Sequence, residues 1–162
     1  MTPEQLVREA LEAMHFAYVP YSGFTVGAAL LSIRFVQQFG PLRGVGMGVF
    51  HAVSAFCNGG FDLMGTPDDP FCSLVHYAED PLVSLTIMAL IVLGGLGFFV
   101  WSDVWDHRRF RSLSLHSKLV LAMSGVLLGG GFLLTLLFEW SNPATLGGMT
   151  LPHKLLAAAF QS

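Results

Sequence analysis

The sequence predicts an all-α membrane protein: two transmembrane helices plus a re-entrant helix and loop, preceded by a short α+β segment. Hydrophobic residues make up 53% of the 162 and charged ones 12%, roughly half the charged share of an ordinary soluble domain. Mean hydropathy is +0.61. Two uncharged stretches of twenty residues, Leu82–Trp101 and Leu119–Phe138, are each long enough to cross a hydrocarbon core of about 30 Å. A third uncharged stretch, Gly44–Phe61, is broken near its end by Asn58-Gly59-Gly60, which stops a helix short of a crossing. The net charge of −3 points to no nucleic-acid partner.

The first region, residues 1–31, reads as soluble. Thr2-Pro3-Glu4-Gln5 has a capping-box pattern with Pro at the first helical position. Leu6, Ala10, Met14 and Ala17 follow at helical spacing, opposite Arg8, Glu9 and Glu12. Those charges do not read as a signal peptide. Pro20-Tyr21-Ser22-Gly23 ends the helix, and the apolar run Phe24–Leu31 suits a buried strand.

In the second region Val49–Phe56 reads as helical, from Gly44 at the earliest. That makes about nine to thirteen residues against the roughly twenty a crossing needs. A short apolar helix with a glycine-rich stop is the pattern of a re-entrant segment. The two long stretches then form the spans. Gly94-Gly95, Gly97 and Gly129-Gly130-Gly131 allow close helix packing and local kinks in them.

Charge orients the chain. The loop 102–118 holds His107, Arg108, Arg109, Arg111 and Lys118, whereas Asp62–Asp80 holds five acidic residues and no Lys or Arg. The positive-inside rule places 102–118 in the cytoplasm and 62–81 outside. Arg34, Arg43 and Lys154 then fall on the outer side, against the rule. Asp68, Asp69, Glu79 and Asp80 read as an acidic outer surface. Arg108, Arg109 and Arg111 are orientation signals first and a docking site for a regulatory subunit second.

Irregular backbone at membrane depth is tolerated where it lines a cavity or is buried in protein. Carbonyls there can replace the hydration shell of a cation, with the C-terminal end of the short helix aimed at the pathway. Asn58, Gly59, Gly60 and Phe61 are the candidate filter residues. An interfacial helix with a glycine turn remains the alternative. His51 reads as a structurally hydrogen-bonded histidine before a pathway-facing one, and Cys57 as packed before reactive. Asp62 is either an electrostatic attractor at the outer mouth or a solvated loop carboxylate. Gly44-Val45-Gly46-Met47-Gly48 lacks nucleotide-loop spacing. Cys57 and Cys72, fifteen apart, lack metal-site spacing, so neither a metal site nor a catalytic residue is expected.

The stretch from Val49 to Asp62 (VFHAVSAFCNGGFD) resembles the second pore loop of the Trk/Ktr/HKT superfamily of potassium transporters. The resemblance continues through Gly94–Phe98, Arg108–Arg111, Leu113–Lys118 and Glu139–Gly147, most like Ktr-type subunits, and covers about residues 34–162. It implies a fragment of a four-repeat fold, each repeat a helix, pore loop and helix around one pathway. It makes His51, Ser54 and Phe56 part of a pore helix and places Gly59 where Ala is more usual. His153–Ser162 is similar to the start of the third pore helix. The implied substrate is potassium, with sodium coupling open and no cofactor. The implied partners are membrane lipid, a second copy in a homodimer and a cytoplasmic nucleotide-binding regulatory subunit, at the plasma membrane. A piece with one filter of four is expected not to transport alone.

Residues 4–31, above all Pro20-Tyr21-Ser22-Gly23-Phe24-Thr25-Val26-Gly27-Ala28-Ala29-Leu30, resemble the opening of cytidine deaminases. That likeness implies two units, 1–31 and 32–162, and leaves as alternatives an enzyme fragment without its zinc site or a non-functional fusion. The zinc-site glutamate and Cys-x-x-Cys pair of such enzymes are missing.

Overall fold

The computed structural model describes residues 24–162, and among them it is helical with no strand. Helix α1 covers residues 24–39. It is followed by α2 (Pro41–Phe56), α3 (Pro81–Leu96), α4 (Phe98–His107), α5 (Leu115–Glu139) and α6 (Leu151–Gln161), with single 3-10 turns at Val75–Tyr77 and Phe110–Ser112.

The strand expected over Phe24–Leu31 is the first half of α1. An eight-residue apolar run cannot be told from a buried helix by itself; the residues after it decide. Ala28, Leu31 and Phe35 are buried, with Phe24 and Phe39 packed on the same cluster, a spacing of three and four that only a helix puts on one face. The boundary drawn between residues 31 and 32 therefore falls inside a continuous helix. The helix expected over Leu6–Tyr18 lies outside the described residues.

Gly40, at φ 80°, and Pro41 at the first helical position turn the chain from α1 into α2. The two helices return antiparallel with very close backbones. A Cβ on Gly44 would lie 2.5 Å from the Val36 backbone, and one on Gly48 would lie 2.6 Å from the Ser32 nitrogen. The same register pairs the rings of Phe24 and Phe56, 6.4 Å between centroids. Small residues four apart thus form the seam, as they do between membrane helices. Helix α2, at 16 residues, is longer than expected because it begins at Pro41, yet it still falls short of a span.

Asp80 caps α3, its Oδ1 accepting from the amides of Leu82 and Val83 at 3.0 and 3.3 Å. Leu90 packs where a Cβ on Gly27 would otherwise sit, 2.8 Å away. The span expected over Leu82–Trp101, with kinks allowed at its glycines, is broken outright: α3 and α4 meet at 91°. Gly97, at φ 81° and ψ 153°, holds a backbone conformation essentially reserved for glycine, and Trp101 Nε1 donates to the Leu93 carbonyl at 2.8 Å across the bend.

The second expected span is present. Helix α5 has 25 residues and a hydropathy of 2.1 over its most apolar window, enough to cross a membrane by length and composition. Its N-cap Ser114 is tied back to α4, the hydroxyl and amide both donating to Asp103 Oδ2 at 2.7 and 2.9 Å. Helix α6 lies against α5, with Ser162 Oγ donating to the Leu128 carbonyl at 2.6 Å. The core sits among α1, α2 and α3, where Leu31, Phe35, Ala52, Val83 and Leu90 are at most 1% exposed.

Candidate functional site

The candidate site is the loop that leaves α2. Cys57 N still donates to the Val53 carbonyl at 2.9 Å, Asn58 N to Ala55 at 3.0 Å and Gly59 N to Ser54 at 2.7 Å. These bonds close the helix end by engaging the carbonyls of Val53, Ser54 and Ala55. Asn58 (φ 53°) and Gly60 (φ 70°) then take the left-handed backbone conformation, which reverses the chain sharply. Among the described residues, no donor engages the carbonyls of Asn58, Gly59 or Gly60. Asn58, Gly59, Gly60 and Phe61 are all exposed.

Two side chains of α2 hold the far end of this loop. Ser54 Oγ donates to the Phe61 carbonyl at 2.7 Å, so one lone pair of that oxygen is occupied and Phe61 differs from the three residues before it. His51 is 2% exposed. Its Nδ1 lies 2.7 Å from the Met47 carbonyl, and its Nε2 lies 3.3 Å from the Leu63 amide. A carbonyl demands a donor and an amide demands an acceptor, so the ring is the neutral Nδ1–H tautomer. Both nitrogens are spent within the protein, which is the structural role expected for His51.

The helix end is pressed from the other side by α3. A Cβ on Gly94 would overlap the Phe56 carbonyl oxygen, so no larger residue lets α3 lie where it does. Phe56 itself is half-buried against the core. Behind the loop lies a cavity of about 290 Å³, lined by His51, Ser54, Asn58, Phe61, Leu74 and Ile91 among others.

Several surface readings change. Asp80, expected on an acidic outer surface, is largely covered and paired with Arg34, Nε to Oδ2 2.6 Å. Burial raises its pKa, but the Arg34 hydrogen bond and the amides of Val83 and Leu82 outweigh it and hold the carboxyl below the usual range. Arg34 also stacks on the Tyr77 ring, 5.7 Å to the centroid. Cys57, expected to be packed, is exposed, whereas Cys72 is buried. Asp62 accepts from the Met64 amide at 3.0 Å, shaping the turn after the loop. Gly44 and Gly48 turn out to be seam residues. Glycine spacing of four was the readable signal for that seam.

The cation transport protein family TrkH matches residues 8–147. Potassium/sodium uptake protein NtpJ of Enterococcus hirae is 40% identical over 137 residues, 85% of this chain and 29% of its own length. Ktr system potassium uptake protein B is 43% identical over 137 residues in Bacillus subtilis and 41% over 139 in Vibrio alginolyticus, with the same coverage. The chain thus spans under a third of the length of these relatives. The family match begins inside the segment likened to cytidine deaminases, and none of these relatives is a deaminase; that likeness is not supported.

Proposed function

Because this chain belongs to the TrkH family of cation transport proteins, a family of transporters and not enzymes, we propose that it lines part of a potassium pathway through a membrane. Asn58, Gly59 and Gly60 supply carbonyls to one filter segment, and Phe61 closes it. The observation that carries the reading is the run of three carbonyls, Asn58 to Gly60, without a donor among the described residues, set at the end of a 16-residue helix. Such oxygens replace water around a weakly hydrated monovalent cation, and the helix end adds its partial negative charge. Three relatives named as potassium uptake proteins support the choice of ion; sodium, in the name of one of them, is the second candidate.

One such segment faces an ion from one side only. A full pathway takes three more, so a single copy of residues 24–162 does not conduct by itself. The acidic loop 62–81 lies outside and the basic loop 102–118 in the cytoplasm of a plasma-membrane protein. The pairing of Arg34 with Asp80 and the donation from Lys154 to the Trp140 carbonyl give two of the contrary cations local partners. Arg108, Arg109 and Arg111 then face a cytoplasmic nucleotide-binding regulatory subunit, and a homodimer is the expected assembly. No organic cofactor enters this reading.

The test is a graft. Residues 41–107 replace the matching segment of the Bacillus subtilis relative, and potassium uptake is followed in cells lacking other uptake routes. The graft restores uptake, and the same graft with Gly60→Ser does not. Equal uptake by both grafts, at equal abundance in the membrane, sinks the filter assignment.

A further inference from the structure

Outside the candidate pore loop, the geometry points to a transition-metal site, of the kind that takes Zn²⁺, formed by Asp69, Cys72 and His76. Each offers one ligand atom, and the three atoms lie within 4.8 Å of one another. The reading of Cys57 and Cys72 as a pair concealed the site, because the partners of Cys72 are a carboxylate three residues before it and an imidazole four residues after it.

The scaffold brings these side chains together through backbone and side-chain hydrogen bonds. Thr66 fixes Asp69 twice, its amide donating to the Asp69 carbonyl and its hydroxyl accepting from the Asp69 amide, both at 3.0 Å. The Val75 amide donates to the Cys72 carbonyl at 3.2 Å, and the 3-10 turn it starts carries His76 round to within 3.7 Å of the Asp69 carboxylate. Gly65 lets the two sides of the loop close up, since a Cβ there would lie 2.7 Å from the Pro70 carbonyl. Cys72 is buried, with Sγ donating to the Met64 carbonyl at 3.2 Å, while Asp69 and His76 face solvent. The ion enters from that open side.

The donor set selects the metal class. One sulfur, one imidazole nitrogen and one carboxylate oxygen suit Zn²⁺ and its neighbours; calcium, magnesium and potassium favour oxygen alone. Three protein ligands leave a fourth tetrahedral position for water. On binding, the thiol gives its proton to solvent, the sulfur exchanges its bond to the Met64 carbonyl for one to the metal, and no electron changes hands. No Lys or Arg lies between Asp62 and Asp80 to repel the ion. A bound ion clips residues 69–76 together, and Ser73 and Leu74 of that stretch also line the cavity behind the candidate filter. The site thereby stiffens one wall of that cavity.

The test uses the purified chain carrying Cys57→Ser, which removes the exposed thiol, titrated with Co²⁺ and then Zn²⁺. The expected result is one ion per chain, a near-ultraviolet thiolate-to-cobalt charge-transfer band that Zn²⁺ abolishes, and a rise in unfolding temperature with Zn²⁺. His76→Gln at the exposed ligand and Cys72→Ser at the buried one each weaken binding at least ~10-fold. The His76 variant tests the site even where the Cys72 variant does not fold. Absence of the charge-transfer band, or unchanged affinity in His76→Gln, overturns the assignment. Neither outcome depends on potassium transport.

Discussion

Gly59 and Gly60 are adjacent, yet their backbones ask different things of them. Gly60 is at φ 70° with nothing within 4 Å of a Cβ position. Its replacement by Ala or Ser therefore meets no neighbour and costs only the left-handed conformation, about 1–2 kcal/mol. Gly59 has no such φ, and a Cβ there meets the Phe61 ring at 3.4 Å, an ordinary contact. Gly59→Ala is expected to keep the loop and leave the midpoint of thermal unfolding unchanged or slightly raised. Gly60→Ala is expected to lower it and to rearrange the loop, read by amide exchange at Asn58–Leu63. Equal effects of the two substitutions would refute this difference. The sequence showed that a glycine-rich break comes after α2. That the Phe61 carbonyl is held by Ser54 Oγ was not legible, because nothing in residue order shows a contact across a chain reversal.

At the scale of elements, the same contrast separates the glycines of α2. Gly44 and Gly48 lie against the backbone of α1, whereas Gly46 has nothing within 4 Å. Gly46→Ala is expected to stabilise the chain by ~0.5–1 kcal/mol, through helix propensity alone. Gly48→Ala is expected to destabilise it, because a Cβ there meets not only Ser32 Oγ, which could turn away, but also the Ser32 backbone nitrogen at 2.6 Å, which cannot. Denaturation midpoints of the two variants should move in opposite directions. The cap of α3 adds a pH dependence. Asp80 has a folded pKa below its ordinary value, so its contribution is complete above about pH 4, the unfolded pKa. It fades as pH falls through the folded value. Asp80→Asn should flatten the acid limb of the stability curve, and an unchanged limb would count against the Arg34 pairing. Helix content was largely readable from periodicity and glycine breaks. Helix α1 was not: Phe24–Leu31 reads as a strand and residues 32–39 were given no helix, because the buried spacing that identifies a helix appears only when Phe35 and Phe39 are read with Phe24, Ala28 and Leu31.

For the whole molecule the decisive question is whether α3 and α4 carry the chain across the membrane. Twenty uncharged residues, Leu82–Trp101, read as one span, but the 91° bend at Gly97 falls inside them, between a 16-residue helix from Pro81 to Leu96 and a 10-residue one from Phe98 to His107. The proposed orientation requires that this bent pair cross, because it separates the acidic loop from the basic one. A re-entrant pair would return both loops to the same side. Single cysteines at two exposed positions distinguish these cases, Asp68→Cys in the acidic loop and Ser112→Cys in the basic loop, each in the Cys57→Ser background with Cys72 buried. The expectation is that a membrane-impermeant thiol reagent labels the first on intact cells and the second only after permeabilisation. Labelling of both on intact cells would make the pair re-entrant and leave α5 as the one crossing helix among the described residues. For the bent pair to cross, its angle must open in the membrane, where lipid or a neighbouring helix would cover the apolar side chains that are open here, Phe99 at 79% and Trp105 at 62% exposure. Gly97→Ala tests the cause of the bend. Alanine does not adopt φ 81° with ψ 153°, so α3 and α4 should fuse into one straight helix, and the distance between spin labels at positions 85 and 105 should lengthen. If that distance is unchanged, the bend is imposed by packing around Trp101 and not by the glycine.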